Sequence, residues 1–218
     1  MEQFSDTSGD LPVRGFLHSP QTHNGNALVL AHSAGGDCQS TLLQAIAGAF
    51  CEAGFFVLRM NLPFRQERLH GPPFPGGASR DRAGLRQAVT VIEEKTSANV
   101  YLGGHSYGGR QATMLAAEDP ALVPGLLLLS YPLHPPRKPA ELRTGHFPRL
   151  TTPALFVHGS RDPFGLLDEM NTALKLIPGH HLLLPVEGAG HELLGRKTQA
   201  DFPALVVTNF RTFMGLTQ

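Results

Sequence analysis

Residues 104–108 read Gly-His-Ser-Tyr-Gly, a G-x-S-x-G pattern with Ser106 at its centre. The pattern follows the apolar run "NVYLG" and opens a helix-like stretch, "YGGRQATMLAAED". A serine held on a sharp strand-to-helix turn presents its hydroxyl for attack on a carbonyl. The turn is crowded, and Gly104 and Gly108 supply the room it needs. The start of the helix also leaves backbone N–H groups to face an oxyanion. A hydroxyl becomes a nucleophile only when a base takes its proton, and the base needs an acid to orient it. Asp162 in "FVHGSRDPFG" and His191 in "VEGAGHELLG" follow Ser106 in the order such a set requires, each just past an apolar run. Three plainer readings stand beside this one. The turn alone can be structural, His191 can be an exposed loop residue, and Asp162 before Pro163 can be a helix N-cap with proline at N1. Glu187 is the rival acid, and Asp168 reads as a solvated helix residue.

A second serine, Ser33 in "LVLAHSAGG", also ends an apolar run after a histidine. It lacks the preceding glycine that Ser106 has, so Ser33 reads as a wall of the site and Ser106 as the nucleophile.

These residues need a scaffold that brings distant positions to one edge. Apolar runs predict strands at 13–18, 27–32, 55–60, 99–103, 125–130, 153–158 and 181–185. Several are apolar at nearly every position, as in a parallel sheet covered on both faces. Helices are predicted at about 40–53, 79–95, 108–118, 164–176 and 200–214; in 79–95, Ala83, Leu85, Ala88, Val89 and Ile92 share one face. Repeated strand–helix–strand units imply an α/β fold with a doubly wound, mostly parallel sheet flanked by helices. Residues 1–218 read as a single domain with no large cap. Two proline-rich segments, 61–78 and 131–150, leave the carboxyl ends of predicted strands, where α/β sheets bind ligands, and so read as pocket walls.

The bulk composition narrows the setting. Apolar residues make up 41% and charged residues 17% of 218, and the formal charge is zero, which gives no electrostatic case for nucleic acid or an acidic membrane surface. The polar, acidic start "MEQFSDTSGDLPV" is unlike a signal or transit peptide. No apolar run approaches the roughly 20 residues that span a bilayer. Cys38 and Cys51 form no C-x-x-C and read as reduced thiols, which makes the cytoplasm the expected location.

In family order, "LVLAHSAGG", "GGHSYGG", "LFVHGSRDPFG" and "GAGH" resemble the α/β-hydrolase superfamily over roughly residues 12 to 215. More narrowly the chain resembles the dienelactone-hydrolase-related group. "LLLLSYPLHPPRKP" with "HGSRDPFG" is similar to its subgroup of testis-expressed and NSL-complex-subunit proteins and their microbial relatives. The resemblance implies a minimal α/β-hydrolase fold and a Ser106–His191–Asp162 triad. It also implies an oxyanion hole from the Tyr107 N–H and one N–H of the Ser33–Ala34 loop. Two departures stand out. Dienelactone hydrolases carry a cysteine nucleophile where this chain has serine, which argues against that specific activity. The first oxyanion loop of the family usually reads His-Gly, against His32-Ser33 here, and a serine at positive φ is strained by about 1 kcal/mol or more.

His32, His105 and His158 each end a predicted strand, and three histidines along one edge could bind a metal. Each precedes Ser or Gly in a turn where backbone bonds can hold its ring, so neither a metal nor a cofactor is expected. The two long segments carry Arg65, Arg68, Arg137, Lys138, Arg143 and Arg149 against Glu67 and Glu141. The plainer reading is a solvated rim; the sharper is a pocket for esters with an anionic group, with Arg65 and His134 as candidate substrate contacts. The expected function is hydrolysis of small esters or thioesters through an acyl-enzyme on Ser106. A non-catalytic binding or scaffold protein of the same fold is the alternative.

Overall fold

The apolar runs alternate inward and outward along each strand, and the alternation divides the core into two layers. In the computed structural model, which describes residues 1–195 and 201–216, the strands form one eight-stranded sheet. In chain order they are β1 (Glu2–Asp6), β2 (Val13–His18), β3 (Asn26–Ala31), β4 (Phe56–Asn61), β5 (Asn99–His105), β6 (Leu126–Leu129), β7 (Ala154–Gly159) and β8 (His181–Val186). Their spatial order is β1-β2-β4-β3-β5-β6-β7-β8. The β1–β2 and β2–β4 pairs are antiparallel and all others are parallel. The sheet is mostly parallel with helices on both faces, as the strand–helix–strand pattern led one to expect, and among the described residues there is no large cap domain.

Helices α1 (Thr41–Glu52) and α6 (Phe202–Phe213) cover one face; α3 (Ala78–Thr96), α4 (Tyr107–Glu118) and α5 (Leu167–Leu174) cover the other. In β3, Leu28 and Leu30 pack with α1, while Ala27, Val29 and Ala31 point to the opposite layer. In β6, Leu127 and Leu129 join the first layer and Leu126 and Leu128 the second. Every residue of β3, β6 and β7 is buried, as expected of strands sandwiched between helices. Each buried Leu contributes about 1.5–3 kcal/mol of transfer free energy.

Three elements depart from the sequence reading. Strand β1, in a segment read only as polar, pairs with β2 at the sheet edge; only Phe4 of it is buried, so it has no apolar run to announce it. The segment 61–78 contains a short helix, α2 (Pro63–Glu67), with proline at its start. The helix expected from 164 begins at Leu167, where the Leu166 N–H donates to Glu169 Oε2 (2.7 Å). Asp162 is therefore not its N-cap. Gly165, at φ 154°, turns the chain before the helix can start. Residue 200, the expected first position of the last helix, lies outside the described residues. Among the described residues, no helix is long and apolar enough to cross a membrane.

Candidate active site

Parallel pairing from β3 to β8 puts the carboxyl ends of β3, β5, β7 and β8 along one edge. That edge is where residues 33, 106, 162 and 191 leave the sheet, and so residues 85 apart in sequence meet. Ser106 stands between β5 and α4 with φ 52° and ψ −113°, a conformation that costs a non-glycine residue about 1–3 kcal/mol. Its N–H donates to the Leu129 carbonyl (2.8 Å), which anchors the turn to β6. A Cβ at position 104 would lie 2.6 Å from the Ala31 carbonyl oxygen, and one at 108 would lie 2.7 Å from the carbonyl oxygens of Ala31 and His32. Glycine at both positions is thus a steric requirement for packing β5 and α4 against β3.

The Ser106 hydroxyl lies 2.8 Å from His191 Nε2, and His191 Nδ1 lies 2.8 and 3.0 Å from the two oxygens of Asp162. With the ring proton on Nδ1, that N–H donates to the carboxylate, and Nε2 is left to accept from the serine. Asp162 is fully buried, and its Oδ1 also accepts the Phe164 N–H (2.9 Å). The His191 loop is held from several sides. His105 Nε2–H donates to the His191 carbonyl (2.9 Å), the Arg161 N–H to the Ala189 carbonyl (2.9 Å) and the Gly188 N–H to Ser160 Oγ (2.9 Å). Phe164 lies against the imidazole with ring centroids 4.1 Å apart. A Cβ at Gly159 would sit 2.5 Å from the Ala189 carbonyl oxygen, so the absence of a side chain there lets the loop close. Glu187, the rival acid, is exposed, and no hydrogen bond ties it to His191.

These groups open into a cavity of about 850 Å³ lined by the Ser33–Gly36 loop, Ser106, Tyr107, Pro132, Phe164 and His191, and by Arg110, Arg143 and Glu192. As the first residue of α4, Tyr107 has an N–H with no intrahelical acceptor. The N–H groups of Ser33 and Ala34 likewise have no backbone acceptor among the described residues. Ser33 is not among the residues at positive φ, so the strain anticipated for serine in place of glycine does not arise.

Both proposed substrate contacts fall elsewhere. Arg65 is buried, and its guanidinium donates to the carbonyls of Gly36 (2.8 Å), Ala34 (3.0 Å), Gly71 (3.0 Å) and Arg68 (3.1 Å). Its donors are committed to backbone, and it clamps the Ser33–Gly36 loop from behind. His134 is buried away from the cavity, with Nδ1–H donating to the Pro135 carbonyl (2.8 Å) and Nε2 3.3 Å from Glu169 Oε2. Of the two long segments, 131–150 lines the cavity through Pro132 and Arg143. Segment 61–78 does not line it, and supports it through Arg65 and through Phe64, whose ring packs edge-on against Tyr107.

The three edge histidines are held by backbone. His32 Nδ1–H donates to the Ser33 carbonyl (2.8 Å) and its Nε2 accepts the Leu62 N–H (3.1 Å). Burial pushes its pKa down to about 4, so the ring stays neutral. His158 Nε2–H donates to the Gly165 carbonyl (2.7 Å). Among the described residues no group of three or more His, Cys, Asp or Glu is arranged to hold a metal ion.

A family model described as an alpha/beta hydrolase domain matches residues 24–209. The chain belongs to this family. A putative esterase/lipase from Haemophilus influenzae is 32% identical over 114 residues, which is 52% of this chain and 37% of that protein. The chain thus matches little more than a third of the length of that curated relative. A lidless α/β serine hydrolase from Xanthomonas campestris superposes with a TM-score of 0.78 at 17% identity, covering 100% of this chain and 97% of that one. A dienelactone hydrolase from Anabaena variabilis superposes at 0.74 and 20% identity, covering 97% of each. At such identities the likeness is one of fold.

Arg110, Glu192, Phe164 and Pro132 are cavity residues that the sequence reading missed. Arg110 carried a usable signal, since it lies one helical turn after Ser106 and so on the same face of α4. Glu192 follows His191 directly. Phe164 and Pro132 had no signal beyond their place in loops at the carboxyl edge.

Proposed function

We propose that this alpha/beta hydrolase is a serine hydrolase that cleaves small ester or thioester substrates, acting as one domain without a cofactor. The observation that carries the reading is the unbroken hydrogen-bond chain from buried Asp162 through His191 to the Ser106 hydroxyl, with 2.8 Å at both ends, opening into the 850 Å³ cavity. His191 Nε2 takes the Ser106 proton as Oγ attacks the substrate carbonyl. The tetrahedral oxyanion is stabilised by the N–H of Tyr107 and by an N–H of the Ser33–Ala34 loop. His191 then hands its proton to the leaving alcohol or thiol, and an acyl-enzyme remains on Ser106. Water, deprotonated by the same imidazole, releases the acid. Asp162 fixes the tautomer and stabilises the imidazolium.

With no large cap over the site among the described residues, short acyl groups are the proposed substrates. The free thiols of Cys38 and Cys51 support a cytoplasmic setting. Within the superfamily, "LLLLSYPLHPPRKP" and "HGSRDPFG" support placement with the testis-expressed and NSL-complex-subunit-like subgroup.

A fluorophosphonate probe tests the reading. Covalent labelling of the wild-type protein, and none of folded Ser106→Ala, is the expected outcome. A folded wild-type protein that takes no label would point to the scaffold alternative.

A further inference from the structure

Two arginines stand in the cavity wall without a counter-charge. Arg110 lies about one turn along α4 from Ser106, four residues or about 6 Å along the helix axis. Arg143 enters from the loop between β6 and β7, its Nη1 making only a long contact to the Pro132 carbonyl (3.4 Å). Both are half-buried. Among the described residues, no carboxylate lies within 4 Å of either guanidinium. The arginines of the neighbouring helix α3 differ. Arg82 pairs with Glu118 (3.0 Å), Arg86 with Asp119 (2.5 Å) and Arg80 with Glu67.

The surroundings of Arg110 are neutral or positive. The Tyr131 hydroxyl beside it is kept protonated by complete burial. His146 is held neutral, its pKa pushed down to about 4 by burial and then by Arg110. Arg143 is itself lowered by burial and by Arg110, so the two guanidiniums feel one another. Arg110 Nε is buried without a hydrogen-bond partner. The nearby acids leave this charge uncompensated. Glu141 pairs with Lys138 (2.8 Å), and Glu192 is exposed at the rim. In a chain whose formal charge is zero, leaving two half-buried like charges together is unfavourable unless an anion arrives to join them.

We propose that Arg110 and Arg143 form an anion subsite, and that the substrate is an ester or thioester carrying a carboxylate or phosphate a short spacer from the scissile carbonyl. This rests on the serine-hydrolase reading for the word ester; the anion subsite itself does not. Guanidinium forks suit both anions, and the single turn between Ser106 and Arg110 limits the spacer to a few carbons.

Two measurements test it, the first of them independent of the chemistry. The first is calorimetric binding of glutarate, and of inorganic phosphate in a parallel arm, to the Ser106→Ala protein. Glutarate or phosphate is expected to bind, weakening about tenfold or more in Arg110→Gln and in Arg143→Gln and weakening with added salt. Arg110→Lys is expected to recover part of the affinity, and matched melting temperatures exclude misfolding. The tighter arm names the anion. The second is kcat/KM for p-nitrophenyl glutarate half-ester against p-nitrophenyl butyrate. Wild type is expected to favour the charged ester by tenfold or more, and the ratio to collapse towards one in both Gln variants. Absence of anion binding, or equal kcat/KM for both esters with no response to salt, overturns the subsite. Fluorophosphonate labelling reads Ser106 independently. If glutarate binds through the arginines but the probe does not label, the subsite stands and the hydrolase reading falls.

Discussion

Two walls of one cavity are built on opposite terms. On the triad side, Asp162, His191, His105 and the glycine-bounded loop satisfy one another with bonds of 2.8–3.0 Å. On the arginine side, Arg110 and Arg143 hold like charge, and among the described residues no carboxylate lies within 4 Å of either. The satisfied wall is organised in advance, as chemistry that depends on orientation requires. The unsatisfied wall is completed by what binds there. Low stability of an unpaired charge in the free protein is what makes the bound state favourable.

The comparison is broken most sharply at the satisfied wall. Ser106→Ala is expected to lower kcat by a factor on the order of 10⁶ while leaving the fold intact, measured on any ester the wild type turns over. Asp162→Asn leaves the imidazole in the wrong tautomer and is expected to lower kcat by about 10⁴. Gly159→Ala acts through the loop alone. The added Cβ meets the Ala189 carbonyl at 2.5 Å, His191 is displaced, and a loss of about 10² in kcat is expected with KM little changed.

Acid sharpens the contrast through stability. His18, His32 and His146 all have pKa values lowered to about 4 in the folded protein by burial, against about 6.5 in the unfolded chain. Between those values the unfolded state binds protons that the folded state refuses, so stability is lost as pH falls from 6.5 to 4 and levels off below. Each 1 kcal/mol lost lowers Tm by about 2–4 °C for a chain of this size. A scanning-calorimetry series from pH 7 to 4.5 should show a fall of several degrees. The smallest effect is expected at Ser33→Gly. Since Ser33 already avoids positive φ, glycine relieves no strain there, and kcat/KM should stay within about threefold of wild type.

Much of this was legible in the chain because the signals were local and chemical. The G-x-S-x-G turn announces itself by the two glycines that Ala31 and His32 crowd. The apolar runs of β3, β5, β6 and β7 reappear as buried strands. Asp162 and His191 follow Ser106 in order, each beyond a strand, and the fold brings their side chains within 2.8 Å of one another. What was hidden depended on long-range partners. Strand β1 has one buried residue and exists because β2 is there to pair with it. Arg65 has the composition of a substrate contact, yet four carbonyls from two loops capture it, and nothing in its neighbours foretells them. Arg110 lies outside the two arginine-bearing loops and reaches the cavity from a helix, so loop charge gives no sign of it.

The most direct test of the central claim is the site of acylation. The protein is mixed with p-nitrophenyl acetate, quenched in acid within milliseconds, digested, and its peptides are weighed by mass spectrometry. The expected result is a single acetyl group on the peptide at Ser106, lost on longer incubation and absent from Ser106→Ala. Release of nitrophenol with no adduct at Ser106, or with the acetyl on Ser33 instead, would contradict it.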